Sequence, residues 1–112
     1  MNTVCDLKNG KCKPCEGGIP PLDDEAADNM LGQLKGWQRS GNAIHKSYEF
    51  ADYHAVIAFV NATAWVSHRE DHHPDIEAAY NRVAVSYTTH AINGLSENDF
   101  ICAAKIDALF EL

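Results

Sequence analysis

An α+β fold of two layers is predicted for this 112-residue chain: a four-stranded antiparallel sheet with three helices on one face. Three observations predict it. Two pairs of strand-like segments each carry turn residues between them, at Ser40-Gly41-Asn42 and at Asn81-Arg82. A long apolar stretch, Ala55 onward, separates the pairs at helical length. Acid-led starts at Asp23-Asp24-Glu25 and Ser96-Glu97-Asn98-Asp99 open a helix before the first pair and another after the second. The order α-β-β-α-β-β-α puts the helices in one layer. The sheet's other face is then free to hold a ligand.

Taken in order, residues 1–21 read as an irregular leader, because Pro14, Gly17, Gly18, Pro20 and Pro21 break any regular element. The domain proper is expected to span 22–112. Its first helix has acids at the positive end of the dipole, an apolar stripe of Leu22, Ala26, Met30 and Leu34, and Gly36 as its stop. Trp37-Gln38-Arg39 is a short strand that forms a hairpin with Ala43 to Phe50. The central helix runs from Asp52 to about Arg69 and is expected to end near His73, because Pro74 disfavours helical geometry in the residue before it. Its apolar residues, through Trp65 and Val66, cover more than one face. A surface helix needs one stripe, and a domain this small has little mass to wrap a second. The excess predicts burial against another subunit in a homo-oligomer.

Ile76 to Tyr80 is the third strand. In the fourth, Val83, Val85, Tyr87 and Thr89 alternate with Ala84, Ser86, Thr88 and His90, so His90 is expected to point away from the core. Asn93-Gly94 turns the chain. Phe100, Ile101, Ala104, Ala108 and Leu109 are the predicted inward face of the last helix.

The formal net charge of -7, with scattered Lys and Arg, argues against nucleic-acid binding, which needs a basic patch. The longest purely apolar run, Ala55 to Val60, is far short of a membrane span, and Met1 to Asp6 lacks the apolar core of a signal peptide. The expected setting is cytoplasmic, with reduced thiols. Cys12-Lys13-Pro14-Cys15, with Cys5 upstream, has the spacing of a zinc knot but no evident fourth ligand, so reduced thiols in a leader are the plainer reading.

Six histidines are present: His45, His54, His68, His72, His73 and His90. His72-His73-Pro74 punctuates the end of a helix and His90 the end of a strand, where working residues tend to sit. Glu70-Asp71-His72-His73-Pro74-Asp75, Tyr80-Asn81-Arg82-Val83, Thr89-His90 and Gly94-Leu95-Ser96-Glu97-Asn98-Asp99, in that order and spacing after Gly36-Trp37, resemble the pterin-4a-carbinolamine dehydratase family from about Leu22 to the C-terminus. The resemblance implies that His72, His73 and His90 form the active site. It implies that His72, His73, Pro74, Thr89, His90, Ala91 and Ile92 hold a pterin, and that Asp99 supports the site by orienting a histidine. Two positions depart from the pattern: His68 stands where a carboxylate is common, and Ile76 where an aromatic is common. Asp71 reads as a helix-end residue, and Trp37 divides between core and ligand platform.

The implied reaction is the dehydration of a 4a-hydroxytetrahydropterin to the quinonoid dihydropterin. No electrons change hands, so no cofactor and no metal are called for. Imidazole suits the proton transfers, since its ordinary pKa of about 6.5 keeps both forms populated near neutrality. The expected setting is tetrahydrobiopterin recycling beside an aromatic amino acid hydroxylase, in a homodimer or homotetramer. Two other readings compete. His68 and His72, at i and i+4, with His90, could hold zinc in a hydrolase, although the block is not HExxH. The same family also includes dimerisation cofactors and assembly proteins, for which a full histidine set has no use.

Overall fold

Short polar side chains start the helices. In the computed structural model, which describes residues 7–13 and 19–111, Asp23 caps α1 (Asp24–Leu31) by accepting the Ala26 amide at 2.8 Å. Asp52 caps α2 (Tyr53–Glu70) by accepting the Ala55 amide at 2.8 Å. Asp99 reaches back from the first turn of α3 (Glu97–Phe110) to the Ser96 amide at 3.0 Å. Each satisfies an amide that the helix itself leaves unpaired.

The strands are β1 (Gln38–Ser40), β2 (Ala43–Glu49), β3 (Asp75–Ala78) and β4 (Arg82–Tyr87), in the spatial order β1-β2-β4-β3 and antiparallel throughout. Ile44, Tyr48, Val83, Val85 and Tyr87 are buried beneath the helices, whereas His45, Ser47, Ala84 and Ser86 alternate onto the other face. The predicted fold class is the observed one. Alternation of burial continues past β4, with Thr89 buried and His90 exposed. His90 is not in the strand, however. It opens a 3-10 turn, His90–Ile92, closed by a bridge between Thr89 and Gly94. Gly94 is required there, because a Cβ would come within 2.5 Å of the Pro21 ring.

Three expectations change. The helix α1 stops at Leu31, not Gly36, and its one fully buried residue is Ala27. The helix α2 stops at Glu70, within a residue of the expected Arg69, but Pro74 is not what ends it: Asp71 turns left-handed at φ 53° and the amides of Asp71 and His72 both return to the Ser67 carbonyl. This closure needs no proline, and a short polar residue tolerates the conformation. In α3 the buried set is Asn98 to Ala103 plus Ile106, while Ala104, Ala108 and Leu109 are half-buried.

The last difference has a direct cause. Residues 7–13 lie on α3 and cover the side that an amphipathic helix would leave wet. Leu7, in a 3-10 turn over Leu7–Asn9, is fully buried. Lys105 Nζ donates to the Lys8 carbonyl at 3.0 Å. The Lys13 amide donates to Asn98 Oδ1 at 2.9 Å, and Asn98 Nδ2 donates to the Lys13 carbonyl at 2.6 Å. The described part of the leader is thus irregular in conformation but packed into the domain. Cys5 and Cys15 lie outside the described residues.

Along α2, Val56, Phe59, Thr63 and Ser67 face the core. The two hydroxyls are satisfied within the helix, Thr63 by the Phe59 and Val60 carbonyls and Ser67 by the Thr63 carbonyl. The opposite face is open, with Trp65 65% exposed. Among the described residues, no helix is long and apolar enough to cross a membrane.

Full burial of Leu7 ties the leader to the stability of the whole domain. Leu7→Ala is expected to destabilise the fold by about 2–5 kcal/mol, read as a lower urea midpoint with unchanged slope.

Candidate functional site

The turn that ends α2 presents the His72 ring to the core. The ring lies flat over Tyr87, with centroids 5.8 Å apart and planes 6° apart, an offset stack. Burial pushes the Tyr87 hydroxyl well above its ordinary pKa, so the ring under His72 stays neutral. On the other edge, His72 Nε2 meets Asp99 Oδ1 at 2.6 Å.

Asp99 is fully buried, an expensive place for a carboxylate unless it is richly bonded. Its Oδ2 accepts the Thr89 hydroxyl at 2.8 Å and the Ser96 amide at 3.0 Å. Its position in the first turn of α3 adds the favourable end of the helix dipole. Ser96 Oγ stands 2.8 Å from Thr89 Oγ1, so Ser96 can donate to Thr89 while Thr89 donates to Asp99. With Oδ2 taken by two donors, the His72 contact is read as Nε2–H donating to Oδ1. Nδ1 is then the nitrogen left for the cavity.

The cavity has a volume of about 490 Å³, within the roughly 300–1,000 Å³ of small-molecule sites. His72 and His73 enter it from the end of α2, and Thr89, His90 and Ala91 from the end of β4, with Asp71 also in the wall. The structure therefore brings the three predicted histidines to one space. Asp99 lies beneath it, behind His72. Pro74 and Ile92 do not line it. Trp37 lies in the core, where its Nε1 donates to Asp107 at 3.0 Å; of the two roles open to it, the structure shows the packing one. His68 is exposed and stacks on Trp65, and because α2 ends at Glu70, His68 and His72 do not share a helix face. That removes the geometry of the zinc reading.

The cavity is not on the open face of the sheet, where a ligand was expected. It opens at the sheet's end, and its far wall is Lys11, Cys12 and Lys13 of the leader, with Asn98 of α3. Reading along the chain missed these residues, because neither periodicity nor spacing joins position 12 to position 98. Glu70 holds the leader there. Its Oε1 accepts the Cys12 amide at 2.9 Å, and Lys11 and Lys105 lie 3.5 and 3.9 Å from Oε2. Burial alone would raise the Glu70 pKa, but the Cys12 amide and the two ammonium groups outweigh it and hold it below the usual range.

Residues 20–109 match the family described as pterin 4 alpha carbinolamine dehydratase. A Nitrosomonas eutropha protein, provisionally named pterin-4-alpha-carbinolamine dehydratase, is 61% identical over 97% of both chains. A Nitrosomonas europaea protein of the same provisional name is 60% identical over 99% of both. Among solved structures, a Brucella melitensis transcriptional coactivator/pterin dehydratase superposes with a TM-score of 0.77 at 35% identity, covering 80% of this chain and 97% of that one. A pterin dehydratase-like protein described as a RuBisCO assembly factor of the alpha-carboxysome gives a TM-score of 0.55 at 26% identity, covering 65% and 84%.

Two outcomes check the geometry. Nitrogen-15 NMR should show neutral His72 as the Nε2-protonated tautomer, and Asp99→Asn should shift it toward a mixture. A depressed Glu70 pKa means that its contribution is fully present above the ordinary glutamate value, about 4.3, and is lost as pH falls through its lower folded value. Thermal stability of the natural chain should therefore fall more steeply below about pH 4.3 than that of Glu70→Gln, which starts lower and lacks this titration.

Proposed function

We propose, from the premise that the chain belongs to the pterin 4 alpha carbinolamine dehydratase family, that it dehydrates 4a-hydroxytetrahydropterin to quinonoid dihydropterin by histidine acid–base catalysis. One observation carries the reading: His72, His73 and His90 line a single cavity, and one of them is backed by a buried carboxylate. Loss of water breaks the N5–H and C4a–O bonds and forms the C4a=N5 double bond. It needs a base at N5 and an acid at the leaving hydroxyl.

The backing carboxylate divides these roles. Asp99 orients His72 and stabilises the imidazolium that forms when Nδ1 takes a proton, as a carboxylate does behind a catalytic histidine. His72 is therefore the base. His90, exposed and at the other wall, is the acid that delivers a proton to the hydroxyl. His73 holds the pterin ring, with Thr89 and Ala91 bordering it. A balanced proton exchange leaves no charge in need of a metal, and no cofactor enters it.

Recycling of tetrahydrobiopterin after an aromatic amino acid hydroxylase is the cytoplasmic setting this chemistry fits. The uncovered outer face of α2, with Trp65 exposed, supports a homo-oligomer. The relatives described as a coactivator and as an assembly factor keep a protein-binding role beside catalysis as the second reading.

Placed acids and bases contribute roughly 10²- to 10⁴-fold each. His72→Ala and His90→Ala should each lower turnover of chemically generated 4a-hydroxytetrahydropterin by about that factor in a stopped assay. His73→Ala should weaken substrate binding more than turnover. Natural rates in both His72→Ala and His90→Ala would refute the assignment.

A further inference from the structure

Cys12 and Cys102 are 90 positions apart in sequence, yet their Sγ atoms lie 3.5 Å from each other. The approach is held by backbone, since the leader is clamped at Cys12 by Glu70 and at Lys13 by Asn98. Cys102 is fully buried in α3. Cys12 is half-buried and opens into the cavity. Neither thiol has a part in the dehydration.

Their surroundings give them different chemistry. Cys12 is half-buried and lines the cavity, so a small oxidant reaches its sulfur from solvent, as a reactive thiol requires. Cys102 is kept protonated by its hydrogen bond with Cys12 and by burial, and no oxidant reaches it first. A disulfide needs the sulfurs about 2.0 Å apart, a short approach for side chains already in contact.

We infer that Cys12 is a peroxide-sensitive thiol and Cys102 its resolving partner, so that oxidation bonds the leader covalently to α3 beside the cavity. The Cys12 sulfur attacks one oxygen of a peroxide, the O–O bond breaks, and a sulfenic acid and water form. The Cys102 sulfur then attacks the Cys12 sulfur, the S–O bond breaks, and a second water leaves with the Cys102 proton. Two thiols lose two electrons and two protons, and hydrogen peroxide becomes two waters. The bond fixes the wall formed by residues 11–13, and so ties the shape of the site to thiol oxidation. The disulfide itself does not depend on which substrate the cavity takes.

The test is titration of the full chain with hydrogen peroxide, alongside a Cys5→Ser/Cys15→Ser variant that leaves this pair alone. Expected are loss of two thiols, a mass lower by about 2 Da from the two hydrogens lost, and a peptide pair joining Cys12 to Cys102. The melting temperature should rise by roughly 10 °C or more, as closure of so long a loop implies, and dithiothreitol should reverse it. In Cys102→Ala, Cys12 should stop at a sulfenic acid that dimedone traps. The inference falls if Cys12 in the double variant stays free or only gains oxygen, or if its bonds run between chains. Should that variant not fold, peptide mapping of the natural chain decides, and Cys12 bonded to Cys5 or Cys15 with Cys102 still alkylatable overturns it.

Discussion

Asp99 is the group on which three separate elements depend. Its carboxylate takes the His72 ring from the end of α2, the Thr89 hydroxyl from beyond β4 and the Ser96 amide at the start of α3. A fully buried carboxylate is tolerated only when its lone pairs are occupied and the local field is positive. Both conditions hold here, because Asp99 sits in the first turn of a helix. The group that orients the histidine is thus also the group that starts α3. Loss of its bonds would loosen a helix, a loop and the His72 ring together, which is how a small domain can hold a polar site rigidly without a large core behind it.

The second organising feature is the leader. A helix buried on most sides, as the first half of α3 is, must be covered from both layers. The sheet and α2 supply one side, and residues 7–13 supply the other. Glu70 is the hinge of that arrangement, since it belongs to the last turn of α2 and binds the amide of Cys12. The residue before the left-handed cap therefore anchors the far wall of the cavity, and the two residues after the cap, His72 and His73, fill the near wall. One turn of chain sets both distances.

The relatives show how far the scaffold is separable from what it does. Proteins described as a coactivator/dehydratase and as a RuBisCO assembly factor share this architecture, so the fold alone assigns no chemistry. The assignment rests on the histidine set and its carboxylate.

Alternation and turn residues were enough to predict the four strands, their antiparallel pairing and the single helical layer, because period and turn chemistry are local properties. The histidines at element ends, and the motif blocks around them, were legible for the same reason. Tertiary structure alone decided the rest. It closed α2 with a left-handed Asp71 in place of Pro74, placed Trp37 against Asp107, and moved the cavity from the open face to the end of the sheet. It also brought Cys12 and Lys13 against α3, some 85 to 90 positions away. Contacts of that separation leave no periodic trace, since they arise from packing among elements that must first exist. The sequence by itself determined which residues could do chemistry and that Asp99 would back a histidine; only the folded chain determined that this histidine is His72 and that the leader lies in front of it.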